Sequence, residues 1–372
     1  MKNTLLILAI SLAISACGTK ELPKELSLKK EYKDSFLIGA ALNKDQILGN
    51  EEDTLKLVAK QFNSYTAENE MKWEAIHPTK DTYHFESADA LVELAKQNDS
   101  FLVGHTLVWH AQTPDWVFEN ANGELVSKAT LTDTVTSHIN TVAGRYKNAV
   151  QGWDVLNEAL NEDGTLRDSK WRQILGDDYI EQVFALAQKA APNSELYYND
   201  YNLYKPEKRA GVVRLVNNLQ NKGIKIDGVG IQGHYALDYP DLAELEQSII
   251  EFSALGLKVM ITELDVSVLP FPEDAVQGAD ISINIELQSK YDPYRKGITD
   301  SANNELASRY IEIFKLFNKH QEKISRVTFW GVHDGQSWRN YWPMQGRSDY
   351  PLLIDREKKL KPFVKELVEQ TK

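Results

Sequence analysis

The chain has 372 residues, is 42% hydrophobic and 10% aromatic, and carries a formal charge of −12 at pH 7. That much apolar material can fill a large core and excludes an intrinsically disordered chain. An acidic chain without a basic run is a poor partner for nucleic acid, so neutral partners are expected.

The first 17 residues read as an export signal. Lys2 supplies a positive start, and residues 5–14 form an apolar run too short to span a bilayer. The run ends in Ile14-Ser15-Ala16-Cys17, which resembles the lipobox of bacterial lipoproteins, where the cysteine is lipidated and becomes the N-terminus. Cys17 is the sole cysteine, so an intramolecular disulfide is impossible. The expectation is an exported protein held at a membrane, periplasmic or cell-surface, only through this lipid; plain secretion is the alternative. Residues 18–31 (GTKELPKELSLKKE) are polar and charged and read as a tether, with one folded domain over 32–370.

From residue 32 onward, short apolar runs alternate with amphipathic stretches. Strands are predicted at 36–42, 62–68, 100–110, 149–158, 195–200, 227–234, 257–263 and 326–332. Between them, Val212, Leu215, Val216 and Leu219 recur at helical spacing, as do Leu242, Leu245, Ile249 and Phe252, and Leu306, Tyr310, Ile313 and Phe317. Eight strands alternating with helices predict an α/β fold, a parallel sheet closed into a (β/α)8 barrel as a single catalytic domain. A doubly wound open sheet is the rival, but no glycine-rich phosphate loop supports it. The longest weakly patterned stretch, 270–300, follows the seventh strand.

In such a barrel, functional side chains gather at the C-terminal ends of the strands. Glu68, Asn69 and Lys72 follow the second strand, and His105, Trp109, His110 and Gln112 the third. Asn157 and Glu158 end the fourth, and Asn199, Asp200, Tyr201 and Asn202 the fifth. Gln232 and His234 end the sixth, Glu263 and Asp265 the seventh, and Trp330, Asp334 and Trp338 follow the eighth. Two glutamates on separate strand ends, surrounded by amides, imidazoles and indoles, point to glycoside hydrolysis. Trp330 and Trp338 offer flat faces to the C–H side of a sugar, whereas Trp153 reads as core filler. No HExxH or comparable cluster calls for a metal, and none of this chemistry needs a cofactor.

Several motifs together resemble the family 10 glycoside hydrolases, the xylanases of the (β/α)8 type. They are TAENEMKWE (66–74), GHTLVWHAQTPDW (104–116), WDVLNE (153–158), NDYN (199–202), IQGHY (231–235), ITELDV (261–266) and WGVHDGQSW (330–338). The resemblance covers roughly residues 32–368 and implies an endo-1,4-β-xylanase acting on xylan and xylo-oligosaccharides. It implies Glu158 as general acid/base, Glu263 as nucleophile, and Asn157 on the sugar 2-hydroxyl. Gln232 would lie beside the reacting carboxylates, and His234 and Asp265 would orient Glu263 and keep it ionised. Hydrogen bonds from His234 and from Asn157 or Gln232 to Glu263 are expected. Glu68, Asn69, Lys72, His105, Trp109 and Gln112 match glycone-side contacts, Tyr201 and Asn202 aglycone-side contacts, and Trp330 and Trp338 the aromatic cover. Retention of configuration is implied, with carboxyl groups about 5–5.5 Å apart. A monomer is expected for a polymer-degrading enzyme with an open cleft. Two other readings stand beside this one: a surface glycan-binding lipoprotein without catalysis, which should lack one glutamate, and a hydrolase of another β-linked glycan such as cellulose or mannan.

Overall fold

The structure, a computed structural model, describes residues 26–371. The export signal, Cys17 and most of the predicted tether lie outside the described residues. Eight parallel strands close into a barrel in sequence order, with the last pairing back onto the first. They are β1 (Leu37–Leu42), β2 (Ser64–Ala67), β3 (Phe101–Trp109), β4 (Gly152–Asn157), β5 (Glu195–Asp200), β6 (Gly228–Ala236), β7 (Lys258–Ser267) and β8 (Ile324–Phe329). Nearly every strand residue is buried because helices cover the outer face and side chains fill the inside. This is why the strands read as continuous apolar runs and not as alternating ones.

Buried rings on the sheet are set against glycines on neighbouring strands. Trp153 is fully buried. A Cβ on Gly104 would lie 2.2 Å from its ring, and a Cβ on Gly152 would lie 2.4 Å from the ring of Tyr197. Only the absence of a side chain at these two positions lets such large rings pack across the sheet. The predicted helical stripes are the buried faces of helices Pro206–Asn221, Leu242–Ala254 and Asp300–Lys319. The C-terminal helix Phe363–Thr371 docks on the last of these, and Tyr32 meets Thr371 at 2.9 Å.

One expectation changes here. The tether does not extend to residue 31. Leu28–Glu31 forms a helical turn, Leu28 is buried, its N–H donates to Gln61 at 2.9 Å, and the Ser27 hydroxyl donates to the carbonyl of Lys60 at 2.6 Å. One turn is too short to register as a periodic pattern, yet burying a leucine stabilises by about 1.5–3 kcal/mol. The weakly patterned stretch 270–300 is partly built into regular structure. It carries the helix Ile285–Tyr291 and its own small core, in which Ile281 and Tyr291 pack with Met344 of the loop after β8.

Candidate active site

The C-terminal ends of the strands are irregular where the polar residues lie. Pairing registers shift between His105 and Val108, Asp154 and Leu156, Gln232 and His234, and Ile261 and Leu264. Such bulges re-aim side chains at the rim of a barrel. Strand β7 therefore does not end at Glu263, as the sequence suggested; it continues to Ser267 and pairs Asp265 with His234 after the shift. Both glutamates occupy the left-handed backbone region, Glu158 at φ 56° and Glu263 at φ 57°. A non-glycine residue there costs on the order of 1–3 kcal/mol, so the surroundings must hold it in place.

One cavity of about 800 Å³ lies over this rim. Its walls include all the predicted contact residues: Glu68, Asn69, Lys72, His105, Trp109, Gln112, Asn157, Glu158, Tyr201, Asn202, Gln232, His234, Glu263, Trp330 and Trp338. Asp265 lies behind His234, fully buried.

Glu263 is buried, and each of its oxygens accepts one hydrogen bond. Asn199 Nδ2 donates to Oε1 at 2.8 Å and His234 Nε2 to Oε2 at 3.1 Å. The amide donor is thus Asn199, not Asn157 or Gln232 as expected. Those two turn to Glu158, donating to its Oε1 at 3.2 Å and 3.0 Å, while Trp109 Nε1 donates to its Oε2 at 3.0 Å. The exchange follows from position on the barrel: β5 lies next to β4, so Asn199 bridges Asn157 Oδ1 at 2.8 Å and Glu263.

His234 stands between two carboxylates. Its Nδ1 meets Asp265 Oδ2 at 3.0 Å and its Nε2 meets Glu263. An ionised carboxylate only accepts, so both ring nitrogens must donate and the imidazole must be cationic. Burial opposes that charge, but Asp265 and Glu263 outweigh it and hold the His234 pKa up at about 9. Burial likewise pushes the Glu263 carboxyl up. The His234 hydrogen bond, the nearby His105 and His234 charge and the Asn199 amide outweigh it, leaving Glu263 below the usual carboxylate range. Asp265 is anchored in turn by Arg339 Nε at 2.6 Å and Trp338 Nε1 at 2.7 Å. Trp338 therefore does more than cover the cleft; it holds the carboxylate that holds His234.

On the opposite wall Lys72 is buried, donating to Asn69 at 2.9 Å and Gln112 at 2.8 Å. Its ammonium lies 5.1 Å from the centre of the Trp109 ring. Burial lifts the Glu68 carboxyl to about 7 against the pull of Lys72, so this cavity-wall group changes charge near neutrality. Beside it, Trp338 stacks on Trp342 at 4.9 Å, and Trp342 meets Phe271 edge-on at 5.6 Å.

Sequence reasoning assigned no role to Asn199, Arg339, Tyr204, Tyr239, Phe271 or Trp342, all of which bind a catalytic-site group or line the cavity. Asn199 carried a signal, being polar at a strand end. Arg339 carried little, because nothing in the linear chain connects it to Asp265, 74 positions away.

Comparison with known proteins agrees with this geometry. The model of glycosyl hydrolase family 10 matches residues 27–370. The endo-1,4-beta-xylanase A of Xylanibacter ruminicola is 44% identical over 333 residues, spanning 90% of each chain. The endo-1,4-beta-xylanase of Geobacillus stearothermophilus is 39% identical over 341 residues, spanning 90% of this chain and 96% of its own. A solved GH10 endoxylanase retrieved from a sugarcane soil metagenome superposes with a TM-score of 0.87 at 41% identity, covering 93% of this chain and 99% of that one. A barrel of this topology, with two left-handed glutamates over one cleft and these relatives across nearly the whole chain, belongs to glycosyl hydrolase family 10.

Proposed function

We propose that this protein is a retaining endo-1,4-β-xylanase, with Glu263 as nucleophile and Glu158 as acid and then base. The observation that carries the reading is the His234 ring set between Asp265 and Glu263, which favours the ionised form of Glu263 in the same cleft that holds Glu158 under Trp109 and Gln232. In the first step Glu263 attacks the anomeric carbon, the glycosidic C–O bond breaks, and the Glu158 proton passes to the leaving oxygen. In the second, Glu158 takes a proton from water as its oxygen attacks the anomeric carbon and frees Glu263. Asn157 lines the cavity between the two carboxyls as the amide available to a sugar hydroxyl, and the fully buried Asn199 holds it from behind. Trp330, Trp338 and the Lys72 wall supply apolar faces and donors around the bound chain. We propose a monomer, the state expected of a polymer-degrading enzyme with an open cleft; light scattering on the purified protein reads that directly.

Release of reducing sugar should be fast on xylan and weak on mannan and carboxymethyl cellulose, and the first product seen by proton NMR should be the β-anomer. Preference for either other polymer would overturn the substrate, and an α-anomer the retaining course. We also propose that Cys17 carries a lipid. Wild-type cells fed radiolabelled palmitate should label the protein and Cys17→Ala cells should not; equal labelling would remove the anchor.

A further inference from the structure

Between Glu158 and the leaving-side loop lies one guanidinium that the mechanism has not used. The left-handed Glu158 is held at both ends of its backbone: its N–H donates to the carbonyl of Asn199 at 2.9 Å, and its carbonyl accepts from Arg167 Nε at 3.0 Å. The same Arg167 donates through Nη2 to the Tyr201 hydroxyl at 3.0 Å and to the carbonyl of Leu160 at 3.3 Å. Tyr201 is fixed on its other side as well. The fully buried Lys208 places its ammonium 3.5 Å from the centre of the Tyr201 ring and pairs with Asp200 at 2.9 Å. Chain 159–167 is a hairpin, with Leu160 bridged to Leu166, and its tip Gly164 is packed so closely on Glu207 that a Cβ there would lie 2.2 Å from the Glu207 carbonyl oxygen. The strand-four turn and the strand-five loop thus form one body, and a planar guanidinium is the group that can reach all three acceptors at once.

We propose that Arg167 is a positioning residue that ties the backbone of Glu158, and through it the placement of its carboxyl, to the Tyr201 platform, so that acid and leaving sugar keep one mutual geometry. The inference rests on Glu158 being the acid and Tyr201 lying on the leaving side. Its content is selective. Arg167 makes no contact with His234, Asn199 or Asp265, the groups that hold Glu263. Losing Arg167 should impair proton delivery to a poor leaving group and spare nucleophilic attack.

The test compares kcat/KM, which reports the glycosylation step, on xylohexaose and on dinitrophenyl β-xylobioside, whose leaving group needs no proton. Arg167→Lys, which keeps the charge but loses the fork, should lower the first by roughly 10- to 100-fold and leave the second within about threefold. Tyr201→Phe, which removes only the hydroxyl, should show the same bias at smaller size, and it keeps the question answerable if the arginine variant folds poorly. An equal loss on both substrates in either variant overturns the link. If Glu158→Ala itself loses equally on both, the acid assignment falls and the proposal with it. A biased Glu158→Ala beside an unbiased Arg167→Lys overturns the link alone.

Discussion

Replacing Glu263 by alanine is expected to lower turnover of xylan by at least about 10⁴-fold while leaving xylohexaose bound with affinity near that of the parent. Among the described residues no other carboxylate is placed to take over the attack. Asp265 is fully buried, and both of its oxygens are engaged by Arg339, Trp338 and His234. The aromatic and amide walls that bind the sugar are untouched by the truncation, so calorimetry with xylohexaose should still register binding. Full activity in the variant would remove Glu263 from the mechanism. The same site predicts a pH effect with a definite sign. Catalysis needs ionised Glu263, so activity exists above its pKa and is lost as pH falls through it. His234 lowers that pKa by its hydrogen bond and its charge. In His234→Asn the Glu263 pKa rises, and the acid limb of the kcat/KM profile should move to higher pH; an unmoved limb would contradict the role given to His234.

Glu158→Ala is expected to divide substrates by their leaving groups. On xylohexaose, kcat/KM should fall by about 10²–10⁴-fold, the usual contribution of a positioned acid. On dinitrophenyl β-xylobioside, kcat/KM should be nearly unchanged because the departing phenolate needs no proton. Its kcat should nevertheless fall, since Glu158 is also the base that activates water, so the covalent intermediate should accumulate and give a burst of phenolate. Added azide, an anion that needs no base, should then capture the intermediate and yield β-xylobiosyl azide, whose β configuration records two displacements. Equal losses on both substrates, or an α-azide, would contradict the assignment.

The two glutamates show how unevenly the chain discloses its structure. Glu158 and Glu263 were visible because each closes a run that can only be a buried strand, and strand ends on one barrel face one rim. The supporting residues were partly visible for the same reason: Asn157, His234 and Asp265 lie beside those ends. What each amide binds was not visible. Asn157 and Asn199 are the same residue type on adjacent strands, and only the pairing of β4 with β5 decides that Asn199 reaches Glu263 while Asn157 turns to Glu158. The end of β7 was misplaced for a related reason, because a bulge leaves no mark in composition or periodicity.

By itself the sequence determined the barrel, the order of its eight strands, the covered helical faces and the rim on which the polar groups gather. These depend on local period and on burial, and both are written along the chain. Only the tertiary structure decided the left-handed turn of both glutamates, the anchoring of Asp265 by Arg339 and Trp338, the cavity-lining part taken by Phe271 and Trp342 in loops without a pattern, and the docking of Leu28. Each of these is a contact between segments far apart in sequence, set by strand register and by the packing of one loop on another, and no local preference of the chain encodes it.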